Sequence, residues 1–301
     1  MKIFKMSFAK THFIAKRLLH GIFPLIIQII EQNLFNLYRT FFKVRVYDCF
    51  IFHNELDLLK LRLDYLKDIV NIFVIVEAKL TFTNKEKEKY YAYDYIKKLP
   101  YSLRKKIRYV QLNPFHFPEL IKNDPWEMEY FVRNAISFGL YDVSNFDFLW
   151  ISDVDEIPNK NKVYKLGRLS MFFSYYKMNL LKRFLWKDYA KAVLGKHIKN
   201  TNPQSLRNNK WKYSFKVKNG GWHFSFLMNP NMIKEKVKSY SHSENNKDEF
   251  ISLENIEKSI KNKKDLFGRT NEDLFFKKDI SFLPEIVLNN LDDYRNFIEF
   301  E

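Results

Sequence analysis

Three carboxylates fall within four positions, Asp153, Asp155 and Glu156, at the end of the apolar run FLWIS. Two aspartates separated by one residue in a tight turn face the same point, because the middle side chain, here Val154, is directed away. Such oxygens suit hard divalent cations, Mg²⁺ or Mn²⁺, which share their shell with substrate phosphates. The chemistry this serves is departure of a diphosphate leaving group, its developing charge neutralised by the metal. A plainer use exists: acids after a strand often solvate a loop or cap a helix, and Asp155 stands where it would cap one beginning at Pro158.

The acids sit in a basic protein. Lys and Arg number 51 against 35 Asp and Glu, a formal charge of +16. That balance favours anionic partners such as nucleotide phosphates, acidic lipid headgroups or nucleic acid, with solvated lysine faces as the alternative. No nucleic-acid motif accompanies it, so no nucleic-acid partner is expected. Hydrophobic residues make up 46% of the chain and aromatics 18%, which excludes disorder for most of its 301 residues. The single cysteine, Cys49 in VYDCFIF, permits no intramolecular disulfide and reads as a packing residue.

The positioning elements alternate. VYDCFIF (46–52), NIFVIVEA (71–78), IRYVQL (107–112) and DFLWIS (147–152) are expected strands. Between the first two, Leu56, Leu59, Leu63, Leu66 and Val70 recur at helical spacing, with Asn54 placed as N-cap. KEKEKYYAYDYIKKL reads as a polar helix, and Asp124-Pro125 opens another through to about Phe138. Strands separated by helices predict an α/β fold with a mostly parallel central sheet and a ligand site at the strands' carboxyl ends. The acidic cluster, Glu77, and Asn54 with Glu55 all fall at such ends. Further along, LSMFFSYYKMN, parts of FLWKDYAKAVLGKHI and GGWHFSF look extended, NTNPQSLRNNK turn-rich, and MIKEKVKSY helical. The charged tail from about residue 245 has a helical pattern and suits a lid or peripheral cover.

The N-terminal segment, 1–45, carries Lys2, Lys5, Lys10, Lys16 and Arg17 before GIFPLIIQII, then Arg39, Lys43 and Arg45. The apolar run falls short of the roughly 20 residues of a membrane span, and Gly21 and Pro24 interrupt it. Two uses fit: a basic amphipathic segment on an anionic membrane surface, or an extra helix packed on the domain.

Taken together, YDCFIFHNELDLLKLRL (47–63), FVIVEAKLTFTN (73–84), FLWISDVDEIP (148–158), SLR (205–207), GGWHFSF (220–226) and KVKSYSHSE (236–244) resemble glycosyltransferase family 17. Its best-known members add the bisecting N-acetylglucosamine to N-glycans. The resemblance covers roughly residues 46–262, leaving 263–301 as a charged helical extension. It implies the nucleotide-diphospho-sugar transferase (GT-A) fold and inverting, metal-dependent transfer from a UDP-sugar, N-acetylglucosamine by default, to a glycan acceptor. Asp153 and Asp155 would then hold Mn²⁺ or Mg²⁺ against the UDP diphosphate, with His242 or His223 as candidate third ligand.

Glu156 would orient a sugar or cap a helix. Glu244, beside His242, is the preferred general base over Glu235 and Glu156. Glu55 and Glu77 are candidates for uridine or ribose, Arg207 and Lys236 for the diphosphate, and Trp222 for sugar stacking. Gly220 and Gly221 would allow close backbone approach, and Arg62 suits a structural ion pair.

Two other functions compete. A haloacid-dehalogenase-like phosphatase also opens its site with D-x-D after a strand, but near the chain's start and with Thr or Val where Ile157 stands here. A non-catalytic basic protein on a transferase scaffold, binding membrane or nucleic acid, would use the charge alone. The expected setting is cytoplasmic and peripheral to the membrane's inner face, with a surface polysaccharide, lipopolysaccharide or glycoprotein as acceptor.

Overall fold

The computed structural model describes residues 23–208, 215–269 and 273–300. Lys2, Lys5, Lys10, Lys16, Arg17 and Gly21 lie outside the described residues. A mixed sheet of ten strands forms the centre: β1 (Val46–Phe52), β2 (Ile72–Ala78), β3 (Ile107–Leu112), β4 (Phe148–Asp153), β5 (Glu156–Pro158), β6 (Gly167–Tyr175), β7 (Lys177–Leu181), β8 (Lys191–Leu194), β9 (Lys216–Ser225) and β10 (Phe275–Phe276). Their order is β10-β7-β6-β8-β4-β1-β2-β3, with β9 pairing both β6 and β5.

One half matches the expected parallel sheet. β4, β1, β2 and β3 pair in parallel, each reached through a helical crossover. β1 is buried along its whole length and alternates between two cores. Phe50 and Phe52 join Phe73, Phe148 and Trp150 on one face, while Tyr47, Cys49 and Ile51 join Val74, Val76 and Ile151 on the other. Helix Leu56–Leu66 covers the first face through Leu58, Leu59, Leu63 and Leu66, and helix Pro125–Asn134 the second through Met128 and Val132. Covering both faces is what lets these strands read as continuous apolar runs.

Beyond β4 the sheet is mixed rather than mostly parallel: β6 and β9 pair in parallel, but the other pairings there are antiparallel. β8 runs antiparallel to β4 and β6, and β7 to β6 and β10. For β6 and β7 the cause is connection length: only Tyr176, with φ 66°, separates them. A parallel return needs a crossover of a dozen or more residues.

Local signals hold unevenly. Asp124 caps its helix, accepting from the Trp126 and Glu127 amides, with Pro125 in the first turn. Asn54 does not cap: Glu55 takes the cap position and its carboxylate accepts from the His53 and Asn54 amides, leaving Asn54 Oδ1 buried without a partner. The polar helix after residue 84 shortens to Tyr91–Ile96, and the turn-rich stretch supplies helix Pro203–Asn208. The plainer alternative, Asp155 capping a helix at Pro158, does not occur, because Glu156–Pro158 is a strand.

The tail is not a loose cover. Leu283, Val287 and Ile298 enter the first core cluster, and Asn179 hydrogen-bonds the backbone of Lys277 and Glu299. Earlier, helices Asp248–Ile251 and Leu253–Lys261 close a third cluster with Phe173, Tyr175 and Phe226.

Candidate active site

The turn between β4 and β5 is built from beneath by Arg62. Its guanidinium lies fully buried, forked onto Asp48 at 2.6 and 2.8 Å. The same group donates to the carbonyls of Asp153 (2.6 Å) and Glu156 (3.1 Å) and to Ser152 Oγ (2.6 Å). The expected structural ion pair therefore also fixes the backbone of the acidic turn. Val154 packs in the core, while Asp153, Asp155 and Glu156 line a cavity of about 560 Å³.

Each acid there meets the protein's own cations. Asp153 accepts from Arg133 at 2.9 Å and Arg207 at 2.6 Å. Asp155 pairs with Lys236 at 3.0 Å and stands 3.6 Å from His223 Nε2. Lys236 also reaches Glu55 at 3.0 Å. Burial raises the Asp153 carboxyl, but Arg133 and Arg207 outweigh it and hold the group below the usual carboxylate range. Asp155 is lowered likewise, with burial overcome by Lys236 and His223. Both acids are ionised at neutral pH.

Glu156 departs from its expected roles of base or sugar ligand. Its buried carboxylate accepts four hydrogen bonds: from the Asp153 amide, Trp186 Nε1 and twice from Arg207. It holds Arg207 and Trp186 in place and has no lone pair to spare for a substrate proton.

The remaining expectations divide. Lys236, Arg207, Glu55, His223, His242 and Glu244 all border the cavity. His223 is set directly opposite Glu156 by the β5–β9 pairing and stacks on Phe173 at 4.7 Å, with Nδ1 buried and unpartnered. His242 stands half-exposed at the rim, its Nδ1 2.7 Å from Glu244 and its ring edge-on to Trp126. Gly220 and Gly221 do permit close approach: a Cβ on Gly221, at φ 150°, would strike the Ile157 carbonyl.

Two candidates leave the site. Trp222 alternates away from His223 into the core, where its indole donates to the Phe282 carbonyl, so it cannot stack on a sugar. Glu77 is enclosed behind the cavity wall, bonded by Lys87, Tyr109 and the amides of Tyr91 and Ala92, and cannot reach a nucleoside.

Other lining residues carry no motif. Trp126, Glu129, Tyr130 and Arg133 share one face of helix Pro125–Asn134, and their i, i+3, i+4 spacing after the Asp-Pro cap was the available signal. Glu129 joins Arg133 at 2.6 Å. Trp186 and Tyr189, stacked at 4.5 Å between β7 and β8, complete an aromatic wall that no spacing announced.

Asp153 and Asp155 are the cavity carboxylates that could hold a divalent cation, and each is paired here with the protein's own cations. Both line the cavity, and among the described residues no group of three or more His, Cys, Asp or Glu is placed to hold a metal ion. A metal held by one or two carboxylates, completed by substrate phosphates, is the usual Mg²⁺ arrangement.

A profile of glycosyltransferase family 17 matches residues 28–290. The chain belongs to that family. The match extends past both ends of the 46–262 stretch that the motifs marked, taking in most of helix Phe23–Phe41 and much of the tail. No curated protein matches the chain. As a glycosyltransferase it takes a sugar donor and a glycan acceptor, and the phosphatase alternative falls away.

Proposed function

We propose that this glycosyltransferase moves a sugar, N-acetylglucosamine by family default, from a UDP-sugar to a glycan acceptor with inversion, on a GT-A scaffold and with Mn²⁺ or Mg²⁺. One observation carries the reading: the D-x-D acids end a central strand at the floor of a cavity large enough for a nucleotide sugar.

The ion pairs describe a resting site whose cations are ready for a diphosphate. Arg207 and Lys236 each share their charge between two carboxylates and lie at the cavity surface, where bidentate or point contact with phosphate oxygens becomes available. A divalent cation on Asp153 and Asp155, when bound, supplies further charge neutralisation at the leaving group. Arg62 and Glu156 keep the turn and Arg207 fixed, so little reorganisation remains for the reaction itself.

In-line attack by an acceptor hydroxyl requires a base for its proton. Glu244, at the rim and hydrogen-bonded to His242, fits better than Glu156, whose oxygens are engaged. Trp126, Tyr130, Trp186 and Tyr189 offer apolar faces for sugar rings. The setting that suits such chemistry is cytoplasmic, beside a membrane where surface glycans are assembled.

The test is a donor screen. Purified protein with Mn²⁺ should slowly hydrolyse one UDP-sugar among a panel of UDP- and GDP-sugars. UDP affinity that is identical with Mn²⁺ and with chelator would reject the metal-dependent form of the proposal.

A further inference from the structure

Helix Phe23–Phe41 is amphipathic the wrong way round for a helix that merely packs on a soluble domain. Its inward stripe is mostly polar. Gln28 accepts from the Phe215 amide, Glu31 pairs with Lys196 and His197, and Gln32 bonds the backbone of Tyr164 and Leu166. Two aromatic rings join them: Phe35 stacks on Phe148 at the start of β4, and half-buried Tyr38 on Phe146. The outward stripe is apolar: Ile26, Ile27, Ile30, Leu34, Leu37 and Phe41 are each between 46% and 74% exposed. Spacings of three and four residues align them along one side of the helix.

A face of this kind calls for a cover, and charge selects which one. Residues 1–30 contain five Lys and Arg and no Asp or Glu, and exposed Arg39 and Lys43 stand at the helix's other end. Basic residues at both ends of an apolar stripe complement an anionic bilayer, whereas a second copy would bring like charges together. No described helix is long and apolar enough to cross a membrane, which leaves an in-plane position.

We propose that helix Phe23–Phe41 docks the enzyme on an anionic lipid surface, burying its Ile26–Phe41 stripe at the headgroup boundary. The sheet geometry agrees with that role. The helix meets the starts of β4 and β6, near Phe148 and Gly167, whereas the cavity lies at their other ends, near Asp153 and Phe173. Docking therefore leaves the cavity mouth uncovered. This inference stands independently of the donor and metal assignments.

The full chain should co-float with phosphatidylcholine vesicles containing about 30% phosphatidylglycerol, and far less with phosphatidylcholine alone. The triple substitution Ile30→Glu, Leu34→Glu and Leu37→Glu should lower binding at least about a hundredfold while leaving donor hydrolysis and the melting temperature near wild type. Lys10→Gln with Lys16→Gln should cost on the order of fivefold per residue, with matching loss at high salt. Equal vesicle binding by the triple variant would overturn the proposal. So would an absence of vesicle binding by wild type, with two further results naming the cover: a dimer that the triple variant dissolves means a second copy, and a monomer whose stripe is protected from labelling means residues 1–22.

Discussion

Glu77 and Asp153 close two parallel strands on either side of β1, where Phe52 is in register with Glu77 and Ile51 with Asp153. Each is an acid at the carboxyl end of a buried apolar run, and by sequence each could serve a ligand. Their surroundings separate them. Glu77 takes four hydrogen bonds from residues within about one crossover of itself: Lys87, Tyr91, Ala92 and Tyr109. Asp153 is met by Arg133 and Arg207, drawn from two distant helices that also line the cavity. A strand-end acid becomes part of a site when its partners come from elements that stand apart and leave room between them. When the following loop folds back onto the acid, the same chemistry is spent on holding the loop.

The sharpest way to break this contrast is to neutralise both ends. Asp153→Asn with Asp155→Asn should abolish donor hydrolysis, by at least about a thousandfold, and remove the Mn²⁺ effect on UDP binding in a protein that still melts cooperatively. Residual metal-dependent UDP binding would move the metal elsewhere. Glu77→Gln should do the reverse, costing roughly 3–5 kcal/mol in chemical denaturation because Lys87 is left buried and unpaired, while the folded fraction keeps its UDP affinity. Loss of affinity without loss of stability would restore Glu77 to the site.

Smaller effects sharpen the comparison. Arg207→Lys keeps the charge but cannot fork onto Glu156 and Asp153 together, so turnover should fall about 10- to 100-fold. Unchanged turnover would show that point charge suffices. Behind Arg207, Lys191 donates to its carbonyl at 3.2 Å. Burial, then Arg207 and Arg168, push the Lys191 ammonium down to about 7. An unfolded lysine keeps its proton above that pH, so from about pH 7 to 9 the unfolded chain binds more protons and stability rises with pH. Lys191→Met should flatten that rise, by at most about 1.4 kcal/mol per pH unit in denaturant titrations. A slope that persists in the variant belongs to another group.

What was legible in the chain follows the range of the interactions that produce it. The apolar runs of β1, β2 and β4, the Asp124-Pro125 helix start, the outward turn of Asp153 and Asp155 about Val154, and the ion-pairing of Arg62 depend on neighbours in sequence or on burial of whole strands. Those are local or generic forces, and the sequence expresses them directly. The fates of Glu77, Glu156 and Trp222 depended on which side of a strand faced the cavity and on which partners the fold brought beside each group.

The antiparallel pairings beyond β4, the aromatic wall of Trp186 and Tyr189, and the outward apolar stripe of helix Phe23–Phe41 were likewise settled only in three dimensions. Residue types and spacing therefore determined by themselves that this chain carries an acidic turn after a central strand in a basic α/β protein. Tertiary structure decided which acids remain facing the cavity and which are consumed by packing, because a buried carboxylate must be satisfied by whichever donors the fold brings within about 3 Å.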